Sequence, residues 1–378
     1  MGPQSTLIFI HYSILSLLMF AISMGFSAFT PMDKKRKAVY LAIALSILAL
    51  MTMFRAGTIG NDTLNYIQTF TIVSRENDIA AYIRSSAIEP GYLLWNWLIS
   101  RVTNNPQALF VMSGLVFYVS LSRFVYKWVP APGLLVYALV TMHLFDGYLS
   151  TMRQTLALTI LLFAFDMAYE KKPFSFAILC LTAMQFHMAA LLFFIVYPVV
   201  NVDIAPNDKG TKALVYILLV ALLGIITLAF DNVLSLLIRV FPKYRYYLGG
   251  SRVNGETRIA TVLNIVVYGL MLSIPRFFSL DSHDAMEEKN STAFERLAVL
   301  NIIVLVISMN ATIITRFTGL FTLFSVGDYS HMTANLTRRD HVILVLLSIL
   351  LLYFYGLVIA ILRTPEWYTT YPFAFCWM

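Results

Sequence analysis

Charge is what this sequence lacks. Charged residues fill 12% of its 378 positions, against roughly 25% in a soluble domain. Half the usual charge leaves too little polar surface to face water, and no long polar stretch is present to build a soluble domain. Cysteine is also scarce. Cys180 sits in an apolar run and Cys376 near the C-terminus, so neither a disulfide framework nor a metal-binding spacing can be built from them. The P-loop, HExxH, GxSxG and dinucleotide fingerprints are missing too. Nucleotide-driven chemistry and a zinc hydrolase are therefore unsupported. No internal repeat or low-complexity tract is visible.

What fills the chain is apolar: 59% of residues, with a mean hydropathy of +0.75. A bilayer crossing takes about 20 such residues. Runs fall at 7–29, 38–54, 106–122, 133–150, 153–169, 173–187, 188–202, 213–230, 259–278, 297–314, 317–334 and 341–362, about twelve spans. The two around His187 are short, and 317–334 is polar. The first run is too long for a signal-peptide core. It ends in Asp33-Lys34-Lys35-Arg36-Lys37 rather than a small-residue cleavage site, so a retained helix is expected. The predicted fold class is an all-α polytopic membrane protein, one transmembrane domain over 1–378.

Lysines orient it. Lys34, Lys35, Lys37, Lys127, Lys171, Lys172, Lys209, Lys212 and Lys289 fall in alternate loops, with Lys243 the exception. Basic loops stay in the cytoplasm. Both termini, and the long loops at about 55–105 and 231–258, are then expected in the periplasm of a bacterial inner membrane. The segment at about 279–296 is expected to be a solvated cytoplasmic loop. The net charge of +7 fits lipid headgroups and phosphate-bearing lipids better than nucleic acid, because it sits beside the spans. Many arginines, Arg55, Arg153 and Arg316 among them, run against the lysine pattern and fall on the outer face. Arginine suits bidentate binding of phosphate or carboxylate. Snorkelling at helix ends is the plainer alternative.

Several outer residues are candidates for chemistry. In Gly60-Asn61-Asp62-Thr63, Asn61 or Asp62 can cap a helix starting at Thr63, or Asp62 can be a carboxylate held near Arg55. In Glu89-Pro90-Gly91-Tyr92, Pro90 suits a first helical turn. Glu89 then either offsets the helix dipole or serves as a general base. The helix after it is short and aromatic, and is expected to lie in the interface. Arg153 opens a helix, where a cation opposes the dipole, so it calls for an anion or a buried carboxylate. His187, in an apolar run, is either a satisfied structural residue or an acid–base group at membrane depth. Arg245, Tyr246, Tyr247 and Arg252 interleave base and aromatic, as a glycan-binding loop or an interface belt would.

Taken in order, Arg55, Gly60-Asn61-Asp62 with Tyr66, Glu89-Pro90-Gly91-Tyr92, Arg153-Gln154 with Ala157, and Phe186-His187 resemble the EpsG family. So do Arg316-Phe317 and Tyr371-Pro372-Phe373. That family resembles Wzy-type O-antigen and capsule polymerases. The 231–258 loop has no counterpart that can be assigned residue by residue. The resemblance implies a GT-C-like fold and a periplasm-facing glycosyltransferase using no nucleotide sugar. Such an enzyme moves a glycan from undecaprenyl diphosphate to the non-reducing end of another lipid-linked repeat unit. Read this way, Arg55, Arg153 and Arg316 would clamp the diphosphate, and Glu89 first, then Asp62, then His187 would be the base. Neither cofactor nor metal is expected. The partners are undecaprenyl-diphosphate-linked oligosaccharides and membrane lipids, with a chain-length regulator left open and nucleic acid excluded. A flippase, a membrane O-acetyltransferase and an O-antigen ligase are the competing readings.

Overall fold

The computed structural model of the chain describes residues 3–201, 259–278, 285–309, 318–364 and 369–378. Arg245, Tyr246, Tyr247, Arg252 and Arg316 lie outside the described residues. The chain divides into two compact units, one of Met1–Tyr197, Phe278–His283 and Ser330–Met378, the other of Pro198–Phe277 and Asp284–Tyr329.

The first unit opens with α1 (Pro3–Gly25) and α2 (Lys34–Met53). Asp33 caps α2 by accepting the Arg36 N–H at 3.0 Å, the usual use of an aspartate there. Three short helices follow: α3 (Thr63–Arg75), α4 (Ile79–Ser85) and α5 (Pro90–Ser100). Then come α6 (Gln107–Trp128), α7 (Gly133–Thr141), α8 (Leu144–Ser150), α9 (Met152–Tyr169) and α10 (Pro173–Met184). A 3₁₀ turn (Met188–Ile195) leads into α11 (Val196–Asn201). Late in the chain stand α12 (Ile259–Ser273), a 3₁₀ turn (Ile274–Phe277), α13 (Ala285–Ser308), α14 (Thr322–Ala334) and α15 (Arg338–Arg363). No strand occurs among the described residues. This is a nearly all-helical membrane protein.

Helices α1, α2, α6 and α15 are each long and apolar enough to cross a bilayer. Lipid contact is written on their surfaces. On α15, Ile343, Leu346, Leu347, Leu350, Phe354 and Val358 are exposed, while Leu344, Val345, Ser348, Leu352 and Gly356 are buried. Both faces are apolar, so only the neighbour differs: lipid on one side, protein on the other. The inner face of α15 meets α1 and α7. There Tyr12 donates to the Tyr353 carbonyl at 2.9 Å.

The span expected at 133–150 is not continuous. It breaks at Met142-His143 and bends by 58° between α7 and α8. His143 takes a positive φ of 57°, which ends α7. Its Nδ1 binds Asp146, and its Nε2 meets the Gly356 carbonyl at 2.9 Å. The short segments around His187 are short in the fold as well, a twelve-residue α10 and the 3₁₀ turn after it. The segment expected as a loop at 279–296 is helical from Ala285, in keeping with the strong helix formers in Ala285-Met286-Glu287-Glu288-Lys289.

Each unit holds a buried carboxylate paired with cations. Asp166 on α9, 1% exposed, receives Arg123 and Lys127 and the Trp128 indole N–H at 2.7 Å. In the second unit Arg276 forks onto Asp328 with two bonds of 3.0 Å and lies 3.5 Å from Glu295. Low-dielectric surroundings leave an ion little choice but a partner.

Candidate active site

Helix α2 ends at Met53, and the chain turns through Phe54–Asp62 into α3. A C-terminal strap fixes this turn. Ala56 donates to the Ala374 carbonyl at 3.0 Å, and Cys376 donates to that of Phe54 at 2.8 Å. Arg55 thus pairs its backbone with Phe375. Gly60 has a φ of 89°, and an added Cβ would fall 3.0 Å from the Leu149 carbonyl oxygen, so only glycine fits. Asn61 accepts the Thr369 N–H at 3.0 Å. Its own N–H reaches the Ser150 hydroxyl at 3.3 Å.

The strap carries a testable consequence. Cys376→Pro removes the N–H that holds Phe54, a bond worth about 1 kcal/mol, while Cys376→Ser keeps it. The proline variant is expected to lower the unfolding midpoint in detergent, and the serine variant to leave it unchanged. Equal midpoints would mean that this bond does not hold the turn.

Asp62 does stand at the N-cap of α3, yet its side chain makes no capping bond. It lies 3.5 Å from the Asn65 amide. Asp62 was also expected beside Arg55, but no ion pair joins them among the described residues. Arg55 turns inward instead. It is 1% exposed, with its guanidinium 4.2 Å from the centre of the Phe110 ring. Burial, opposed by the nearby Tyr66, Tyr118 and Tyr92 hydroxyls, lowers its pKa from the ordinary value to about 10. It therefore remains a cation at neutral pH.

Glu89 occupies the N-cap of α5 with Pro90 in the first turn, and its carboxylate does not cap its own helix. One oxygen receives the Arg153 guanidinium at 2.6 Å. The other accepts the Met188 N–H at 3.3 Å. Glu89 is thus the carboxylate that offsets an arginine at the N-terminus of α9. The pair is half-buried, with Glu89 13% and Arg153 32% exposed by side chain. Gly91 lets α5 dock on the end of α10: Tyr92 donates to the Gln185 carbonyl at 3.1 Å. His187 caps the 3₁₀ turn, its Nδ1 accepting the Ala189 N–H at 3.1 Å, so part of its role is structural.

Tyr66 and Tyr92 belong to one buried apolar cluster with Phe70, Phe110, Met152 and Leu156, against which Ile88 and Phe186 pack. The two rings meet edge to face, 6.1 Å apart. Both tyrosines feel the positive fields of Arg55 and Arg153. Burial nevertheless dominates at Tyr66 and raises its hydroxyl to about 12, so it stays protonated and donates to the Ser150 carbonyl at 3.1 Å. The structure thus gathers Arg55, Glu89, Arg153 and the His187 turn, with Asp62 at the rim. Among the described residues no group of three His, Cys, Asp or Glu side chains could hold a metal ion.

Sequence reasoning missed Tyr148. It lines the cavity beside Arg55. The helix breaks at Thr151, between Tyr148 and Arg153, so helical periodicity could not place the two together.

A charged site with a buried aromatic cluster, on short helices and turns among long lipid-facing helices, defines a multi-pass membrane protein with a polar reaction or binding centre. The chain belongs to the EpsG family, whose model matches residues 37–375. These are membrane proteins resembling Wzy-type polysaccharide polymerases. No curated protein and no solved structure matches the chain.

Proposed function

We propose that this protein polymerises a polysaccharide on the periplasmic side of a bacterial inner membrane, with both termini on that side. The glycan comes from undecaprenyl diphosphate and passes to the non-reducing sugar of another lipid-linked repeat unit. In this reading the chain crosses the membrane about twelve times in a GT-C-like arrangement.

The observation that carries the reading is the Glu89–Arg153 pair, flanked by Arg55, Asp62 and the His187 turn, in a chain of this family. The step needs an oxygen of the acceptor to bond the anomeric carbon while the bond to diphosphate breaks and the hydroxyl proton leaves. Arg153 gives one N–H to Glu89, and its remaining donors face the diphosphate as charge develops there. Arg55 adds positive field at the same tyrosines, Tyr66 and Tyr92, that Arg153 acts on. Such preorganised charge is effective where water is scarce. Both oxygens of Glu89 are engaged, so it holds Arg153 in place. Asp62 is half-exposed and outside any ion pair among the described residues, which supports Asp62 rather than Glu89 as the base. His187 shapes the turn that presents Met188 to Glu89.

The test is the lipopolysaccharide or capsule ladder after deletion of the gene and its restoration. A ladder reduced to one repeat unit and rescued by the wild-type gene supports polymerisation. An unchanged ladder overturns it and leaves flippase or acyltransferase chemistry.

A further inference from the structure

Arg55 differs from the other arginines that meet a buried environment. Arg123, Arg153 and Arg276 have side chains 39%, 32% and 24% exposed, and each meets a carboxylate. Arg55 is 1% exposed and meets no carboxylate among the described residues. Its Nη1 reaches the Thr52 carbonyl at 3.2 Å, while Nε and Nη2 have no acceptor among the described residues.

A buried guanidinium without an anion is costly. Arg55 lines a cavity of about 10 Å³, room for one water-sized atom. Of the hydroxyls around that cavity, Thr52 donates to the Leu48 carbonyl and Thr155 to backbone, while Ser113 accepts the Trp95 indole N–H. Tyr148 also lines the cavity, and its hydroxyl is buried without a partner among the described residues. Phe117 holds its ring at 4.7 Å. Two residues that line a space the size of one oxygen thus carry buried donors without an acceptor among the described residues.

We propose that Arg55 and Tyr148 form a pocket for a single oxygen of a phosphate-class anion. Its assignment to the lipid diphosphate rests on the polymerase reading above; the pocket itself does not. Arg153 then binds the more open part of the same group, and Tyr148 becomes a binding residue outside the motifs read from the sequence.

The full chain, purified in detergent, is titrated with inorganic diphosphate and separately with undecaprenyl diphosphate. Wild type is expected to bind, and Tyr148→Phe, which keeps the ring, to bind about tenfold more weakly, the size of one hydrogen bond to a charged group. Should Tyr148→Phe fail to accumulate, Arg55→Lys serves instead, because it keeps the charge and loses the fork. Weakening toward the lipid alone supports the pocket with a lipid source. Weakening toward inorganic diphosphate supports it with a free-anion source as well. Unchanged affinity in both variants, or no binding to wild type, overturns the pocket and leaves it holding water. The gel ladder reads polymerisation separately, so either idea can fail alone.

Discussion

Arg153→Ala is expected to leave the protein in the membrane and reduce its polysaccharide ladder to the single repeat unit. The expected fall in polymerisation rate is about 10²–10³-fold, as for loss of one preorganised donor to developing charge. Arg153 is the part-exposed end of an ion pair, 2.6 Å from Glu89, and it opens α9 where a cation is intrinsically disfavoured. A residue in an unfavourable position, held there by a dedicated carboxylate, is placed to meet a second anion. Arg153→Lys keeps the charge and loses the planar fork, so shorter but detectable chains are expected. A normal ladder from Arg153→Ala, with equal protein in the membrane, would remove Arg153 from the mechanism.

Gly91→Ala carries the second large effect, although it changes no charge. A Cβ on Gly91 would lie 2.7 Å from Gln185 Cβ and 2.8 Å from the Gln185 carbonyl oxygen. Backbone cannot swing aside as a side-chain tip can, so α5 must move off the end of α10. Overpacking of this kind costs about 1–3 kcal/mol. The larger consequence is geometric. Glu89 lies two residues away and spans Arg153 and the Met188 N–H, so both bonds lengthen together. A misplacement of about 1 Å can cost about 100-fold in rate. Ladder analysis together with the unfolding midpoint in detergent checks this. A wild-type ladder from Gly91→Ala would mean that the α5–α10 contact does not position the site.

Much of the fold was legible because bilayer crossing is a property of local composition. The run at 38–54 is α2, that at 153–169 is α9, and that at 341–362 is α15, each within a few residues. The short pair around His187 is short for the same local reason. The bend in 133–150 was not legible, since it depends on His143 bonding Asp146 and the distant Gly356 carbonyl. The site was half legible. Pro90 and Asp62 marked helix starts correctly, and the dipole conflict at Arg153 called for a carboxylate without naming it. Asp62 looked like a cap and a partner for Arg55, and its side chain is neither.

By itself the sequence determined that the chain is helical and crosses a membrane repeatedly. Each of those follows from hydropathy and residue type within one stretch of chain. Only the tertiary structure decided which charge meets which. Arg153 found Glu89, Arg55 was sealed beside Tyr148, and residues 369–378 closed over the Arg55 turn. Those contacts join positions tens to hundreds of residues apart, and they are set by which helices pack together and where glycine lets backbones touch.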